Sequence, residues 1–190
     1  MVNARRSLRG QRGTSLIEVL VTIVILAIGL LGLAGLQTRL QVSEMESYQR
    51  AQALVLLNDM AGRLSANRTN AASYETGASS PLGAGMTCPT TTASQAETDA
   101  GEWCNALQGA AETMGGGNVG AMVGGRGCVE SLGSGAYLIT VAWQGMTPIS
   151  APPASVACGE GEYDGEGDSA CTGDLCRRVI TTVVRIGNLT

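Results

Sequence analysis

The chain has 190 residues and a formal charge of −4, and it contains no lysine and no histidine. Those two absences remove a histidine general base, a histidine metal ligand and the lysine of a phosphate-binding loop. The charge is also uneven. Arg5, Arg6, Arg9 and Arg12 are the only charged side chains before Gly13, and the remainder holds eight arginines against sixteen acids, a net of −8. So acidic a remainder lacks the concentrated positive surface that phosphate backbones require, and no nucleic-acid partner is expected.

The arginine-rich stretch ends in Gly13-Thr14-Ser15-Leu16-Ile17-Glu18, and from Val19 to Leu36 eighteen consecutive residues carry no charge. At 1.5 Å per helical residue such a run covers about 27 Å, close to the hydrocarbon thickness of a bilayer. Arginines before the run, and none after it until Arg39, predict a cytoplasmic amino terminus and a body on the other side of an inner membrane. A cleaved secretory signal would have a shorter apolar stretch and an Ala-x-Ala site. The pair Arg5-Arg6 alone does not make a twin-arginine signal. Glu18 stands at the edge of the run, where a charge must find a partner or snorkel to the headgroups, because burial at a membrane helix centre costs roughly 2.5 to 3.5 kcal/mol.

Helical character continues past Leu36. Tyr48, Ala51, Leu54, Leu57, Ala61 and Leu64 recur at three- and four-residue spacing, with Glu46, Gln49, Arg50, Asp59 and Arg63 between them. The expectation is one helix of about 50 residues, whose second half lays an apolar face on a sheet. Gly29, Gly32 and Gly35 lay a narrow smooth strip along the apolar half, read either as a helix-contact surface or as the ordinary glycine content of membrane helices.

Gly13 to Glu18 followed by Val-Leu-Val resembles the signal sequence of type IV pilins and pseudopilins: a basic leader, Gly, an aromatic, Thr, Leu, Ile, Glu. Here Thr14 replaces the usual Phe and Ser15 replaces Thr. The stretch Ile25 to Gln37 looks like the corresponding part of PilV-type minor pilins, and Ala136 to Trp143 and Arg177 to Leu189 look like sheet strands of that family. The resemblance implies cleavage between Gly13 and Thr14 by a prepilin peptidase, methylation of the new Thr14 amine, and assembly through Glu18 pairing with such an amine. It implies an α+β fold of the type IV pilin kind, with a long amino-terminal helix on a small antiparallel sheet whose loops are tied by disulfides. The expected layout is a leader at 1–13, a transmembrane assembly segment at 14–36, an amphipathic continuation at 37–67 and a periplasmic body at 68–190. The implied partners are other minor pilins, the major pilin, the peptidase, the inner-membrane assembly platform and a large tip adhesin. The implied role is priming of pilus assembly, with consequences for twitching motility and adhesion. A pseudopilin of type II secretion and a single-pass protein without an assembly role are the alternatives.

In the body, a loop-like stretch from Asn67 to about Asp99 precedes a predicted helix at Glu102–Met114, carrying Trp103, Cys104, Leu107 and Ala111 inward and stopped by Gly115-Gly116-Gly117. Strands are expected at Gly127–Leu132, Ala136–Gln144 and Arg178–Ile186, the first two joined in an antiparallel hairpin through Ser134-Gly135. Six cysteines, all after the apolar run, suit disulfides in an oxidising space better than zinc, which would need a close-spaced pair and lacks any histidine. Fifteen connectivities are open to them. The pairs Cys88 with Cys104, Cys128 with Cys158, and Cys171 with Cys176 are preferred here. Glu160, Glu162, Asp164 and Asp168 fall on calcium-loop positions, but Cys171 stands where the bidentate Glu belongs, so the reading is a solvated acidic loop, with calcium a weak candidate and no metal or other cofactor expected. No Ser, His and Asp set exists for nucleophilic catalysis, and no enzyme is expected.

Overall fold

The computed structural model describes residues 15–110, 113–114, 117–118 and 122–187. Its first element is a single helix, α1 (Leu16–Ala66), and the chain divides into two compact units after Ser43. In the first unit every residue from Ser15 to Gln41 is exposed. The apolar half of α1 has a mean hydropathy of 2.8 over its richest 18 residues, long and apolar enough to cross a membrane. Thr22, the one polar residue between Val19 and Leu36, costs little, and so does Thr38 just beyond. The Thr22 hydroxyl donates to the Val19 carbonyl at 2.8 Å and the Thr38 hydroxyl to Ala34 at 3.2 Å, so both are satisfied within the helix.

The second unit is built on α1 from Glu44 onward. A 3₁₀ turn (Arg68–Tyr74) follows, then β1 (Leu82–Gly83), α2 (Gln95–Leu107), a hairpin of β2 (Thr113–Met114) and β3 (Gly117–Asn118), and β4 (Arg126–Gly133), β5 (Ala136–Gln144) and β6 (Arg177–Arg185). The main sheet is antiparallel in the order β1-β4-β5-β6. Long helix, small antiparallel sheet and disulfides fit the α+β type IV pilin fold. One core joins Ala53, Leu57, Met60 and Leu64 of α1 to Trp103 and Leu107 of α2 and to Val129, Tyr137, Ile139, Val141 and Trp143 of the sheet.

Three expectations need correction. The buried face of α1 is Gln49, Ala53, Leu57, Met60 and Leu64, and it leaves Tyr48 and Leu54 exposed at 43% and 41%. Successive three-residue steps lag the helical period of 3.6, so the row from Tyr48 to Leu54 drifts off the face that four-residue steps keep aligned. The second helix lies at Gln95–Leu107, seven positions earlier than its expected start. Ser94 caps it by accepting the Glu97 N–H at 3.2 Å, and Glu97 accepts the Ala93 N–H at 2.9 Å, a variant of the capping box. It ends at Gly109, whose φ of 80° a side chain would resist. Ala111, Gly115 and Gly116, expected in or after this helix, lie outside the described residues. Strand bounds shift by one residue, to Arg126 for β4 and Arg177 for β6.

Two contacts hold α2 in place. The Trp103 indole N–H donates to the Leu56 carbonyl at 2.9 Å, and its ring closes on the bare Cα of Gly127, where a Cβ would overlap it. At the other end Arg63 binds Asp59 at 2.9 Å, Asp99 at 2.8 Å and Glu102 at 2.6 Å, while Asp99 also accepts from the Tyr74 hydroxyl at 2.5 Å and from Gln95 at 3.0 Å. Burial pushes the Asp99 carboxyl up, but hydrogen bonds from Tyr74, Gln95 and Arg63 outweigh it and hold it below the usual carboxylate range. A pKa depressed in the folded state contributes stability that is present above the unfolded value, about 3.9, and lost as pH falls through the folded one. Asp99→Asn is therefore expected to cost about 2 to 4 kcal/mol at neutral pH and to flatten the loss of stability below about pH 4, both read by urea titration. Gly127→Ala is expected to cost about 1 to 3 kcal/mol by overpacking against Trp103, with little change in that pH dependence.

Candidate functional site

Two regions carry the chemistry: the start of α1 in the first unit and the disulfide-tied loop in the second. Ser15 starts the helix. Its carbonyl accepts the Glu18 N–H at 3.0 Å and the Val19 N–H at 3.3 Å, and its hydroxyl accepts the Glu18 N–H at 3.3 Å. Glu18 therefore sits in the first turn, where the positive end of the helix dipole favours an anion. Among the described residues nothing donates to its carboxylate; Thr22, one turn along, has given its hydroxyl to Val19. Leu16, Val19, Leu20, Ile23 and Val24 form an exposed apolar stripe on the same helix. The expected cleavage and methylation positions, Gly13 and Thr14, lie outside the described residues.

The three bridges are Cys88–Cys104, Cys128–Cys158 and Cys171–Cys176, and no cysteine is free. The first fastens the stretch before α2 to its buried face. The second fastens the long connection between β5 and β6 to the face of β4 that points away from the core, since Cys128 pairs with Thr140 while its neighbour Val129 joins the core. Arg177 secures the same connection. Only 2% exposed, it donates to the carbonyls of Val156 at 2.6 Å and Cys158 at 3.1 Å and pairs with Asp174 at 3.1 Å; Asp174 in turn accepts the Gly161 N–H at 2.9 Å. Tyr163 closes the loop from the other side. Its hydroxyl donates to the Gly124 carbonyl at 2.8 Å under the Arg126 guanidinium, 5.1 Å above the ring, and burial pushes its pKa up to about 12.

The weak calcium candidate is not assembled. Glu162 pairs with Arg126 at 2.7 Å, Asp164 accepts the Asp174 N–H at 2.8 Å, and Glu160 and Asp168 are exposed. Among the described residues no three acidic, cysteine or histidine side chains are placed to share a metal ion. Two of the four carboxylates are engaged instead, Glu162 by arginine and Asp164 by the loop's own backbone. Sequence reasoning passed over Arg177 and Asp174, because a single Arg at a strand start and a single Asp between two cysteines carry no periodic signal. Ser94-x-x-Glu97 is the local sequence signal that marks the start of α2.

Removing the arginine that ties the loop should expose its importance. Arg177→Met is expected to cost about 3 to 5 kcal/mol, since it strands a buried Asp174 and two carbonyls. The measurement is the urea midpoint of the full chain in detergent, with the helical signal of the apolar half of α1 unchanged.

Residues 8–34 match the family model described as the prokaryotic N-terminal methylation motif. No curated protein and no solved structure matches the chain. The matched stretch takes in Gly13, Thr14 and Glu18 and most of the apolar run. With this motif at the head of an apolar helix and a disulfide-tied helix-and-sheet body after it in sequence, the chain is type IV pilin-like or pseudopilin-like and suited to membrane anchoring.

Proposed function

We propose that this chain is a minor pilin of the PilV type, a structural subunit that primes assembly of type IV pili and is not a catalyst. The observation that carries the reading is Glu18: an acid in the first turn of an exposed apolar helix, inside the methylation motif, with no donor among the described residues. In low dielectric an ammonium and a carboxylate attract strongly; at 4 Å and an effective dielectric of 20 the attraction is about 4 kcal/mol. A subunit whose Glu18 meets the Thr14 amine of a neighbour gains that attraction, and one without a partner bears an unpaired charge in lipid. The exposed apolar stripe from Leu16 to Val24 gives a neighbouring apolar helix a surface to pack against.

On this reading a prepilin peptidase cuts after Gly13 and methylates Thr14, the chain waits in the inner membrane with its body in the periplasm, and it then enters the fibre. Its partners are other minor pilins, the major pilin, the assembly platform and a large tip adhesin, and twitching and adhesion follow from the fibre. The likeness of Ile25–Gln37 to PilV-type subunits supports the minor-pilin assignment. A type II secretion pseudopilin shares the signal and would serve a different machine. Deleting the gene separates the two: loss of surface pili with normal hydrolase secretion is the expected result, and the reverse would move the protein to the secretion machine.

Glu18→Ala protein is expected to be made, processed and retained in the membrane, yet to reach sheared filaments at least tenfold less than the parent, about 1.4 kcal/mol at the docking step. Equal incorporation would defeat the reading. Mass spectrometry of the mature chain should show Thr14 as its first residue, and a Gly13 substitution that leaves processing intact would contradict it.

A further inference from the structure

The main sheet has two edges, and the chain treats them differently. On the β4 side β1 pairs with Arg126 and Gly127. Two residues on, the Val129 N–H donates to the Thr76 hydroxyl at 3.0 Å, and the Val129 carbonyl accepts the N–H groups of Thr76 and Gly77 at 3.0 and 3.2 Å. That edge is capped by the protein's own backbone. β6 receives no such cover. It pairs with β5 along its whole length without a register shift, from Gln144 opposite Arg177 to Ala136 opposite Arg185. On its far side no backbone group beyond the Arg177 N–H, which reaches Asp174, has a partner among the described residues.

β6 is nine residues of regular strand without Pro, Gly or a bulge, and its charged side chains stand only at its two ends, so the middle of the edge lacks the devices that commonly blunt edge strands. In an antiparallel ladder every second residue turns its N–H and C=O outward, which is the recognition chemistry of another extended backbone. The rim side chains suit a neighbour on both faces. Ile180 and Val184 are half-buried against the core, and Val183 on the opposite face is 47% exposed. Charge narrows the choice of neighbour. Arg177 and Arg178 are matched by Asp174 and Glu46, whereas Arg185 is exposed and has no ion pair among the described residues. A second copy of β6, paired antiparallel about Thr181, would offer Arg185 no carboxylate at either end, only the already paired Arg177.

We propose that β6 is a docking edge for an extended strand of a different subunit, one with alternating apolar residues and a carboxylate opposite Arg185, which joins the sheet as a fifth strand. The inference concerns the second unit alone and stands apart from the Glu18 reading. It is tested on the full-length chain in detergent micelles with two synthetic peptides, Glu-Thr-Val-Thr-Val-Thr-Val-Thr-Glu and the same sequence with Lys at both ends. Hydrogen exchange over residues 177–185 and fluorescence anisotropy are read. The acidic peptide should slow exchange in β6 and bind about fivefold tighter than the lysine peptide, the size expected of a cross-strand charge pair. Arg185→Glu, a change at an exposed unpaired side chain, should reverse that preference while leaving thermal unfolding unaltered. Unchanged β6 exchange with both peptides would overturn the proposal, as would equal binding that Arg185→Glu does not move. Concentration-dependent protection of β6 without peptide would overturn it in favour of self-pairing.

Discussion

The Trp103 ring occupies the space between α1, α2 and β4, and the rest of the body is arranged to let it do so. The chain has no Phe and only two Trp, so its core has few large apolar groups to spend. Trp103 fills its space completely, at 0% exposed, while the indole N–H finds the Leu56 carbonyl and Gly127 gives up a side chain to admit the ring. Leu57, Met60 and Leu64 then reach the sheet as part of the same core. A large aromatic with a polar edge can be buried this deeply only when that edge is satisfied, and the helix backbone satisfies it.

With no lysine, each cation in the body is an arginine, and the described arginines that pair act as junctions. Arg63 gathers Asp59, Asp99 and Glu102, Arg126 joins the β4 edge to the acidic loop, Arg177 ties two parts of that loop, and Arg178 reaches Glu46 on α1. The planar fork of a guanidinium donates in several fixed directions, which an ammonium cannot copy. An acidic protein gains from this twice: few cations answer many carboxylates, and each fixes backbone as well as charge. The order of the long connection before β6 follows from this arrangement together with the Cys128–Cys158 bridge.

What the sequence discloses and what it hides divide along physical lines. The membrane-length run, the continuation of the helix and the three main strands are carried by many residues in a row, so periodicity and β-branched content reveal them. The buried face of α1 depends on which of two nearly overlapping rows the sheet selects, and the selection of Gln49 over Tyr48 is a tertiary choice. The two-residue β1 exists only because β4 offers it an edge. The methylation motif is legible because it is local; Gly13, Thr14 and Glu18 lie within one short stretch. The Arg177 and Asp99 networks are not local, joining residues as far apart as Arg63 and Asp99, and only the folded chain brings them together.

The six cysteines close entirely upon one another within a single body. No sulfur is left over to weld a neighbour in place. Whatever gathers around this protein must be held by contacts that form and release without redox chemistry, so its associations stay as reversible in an oxidising compartment as they would be in a reducing one.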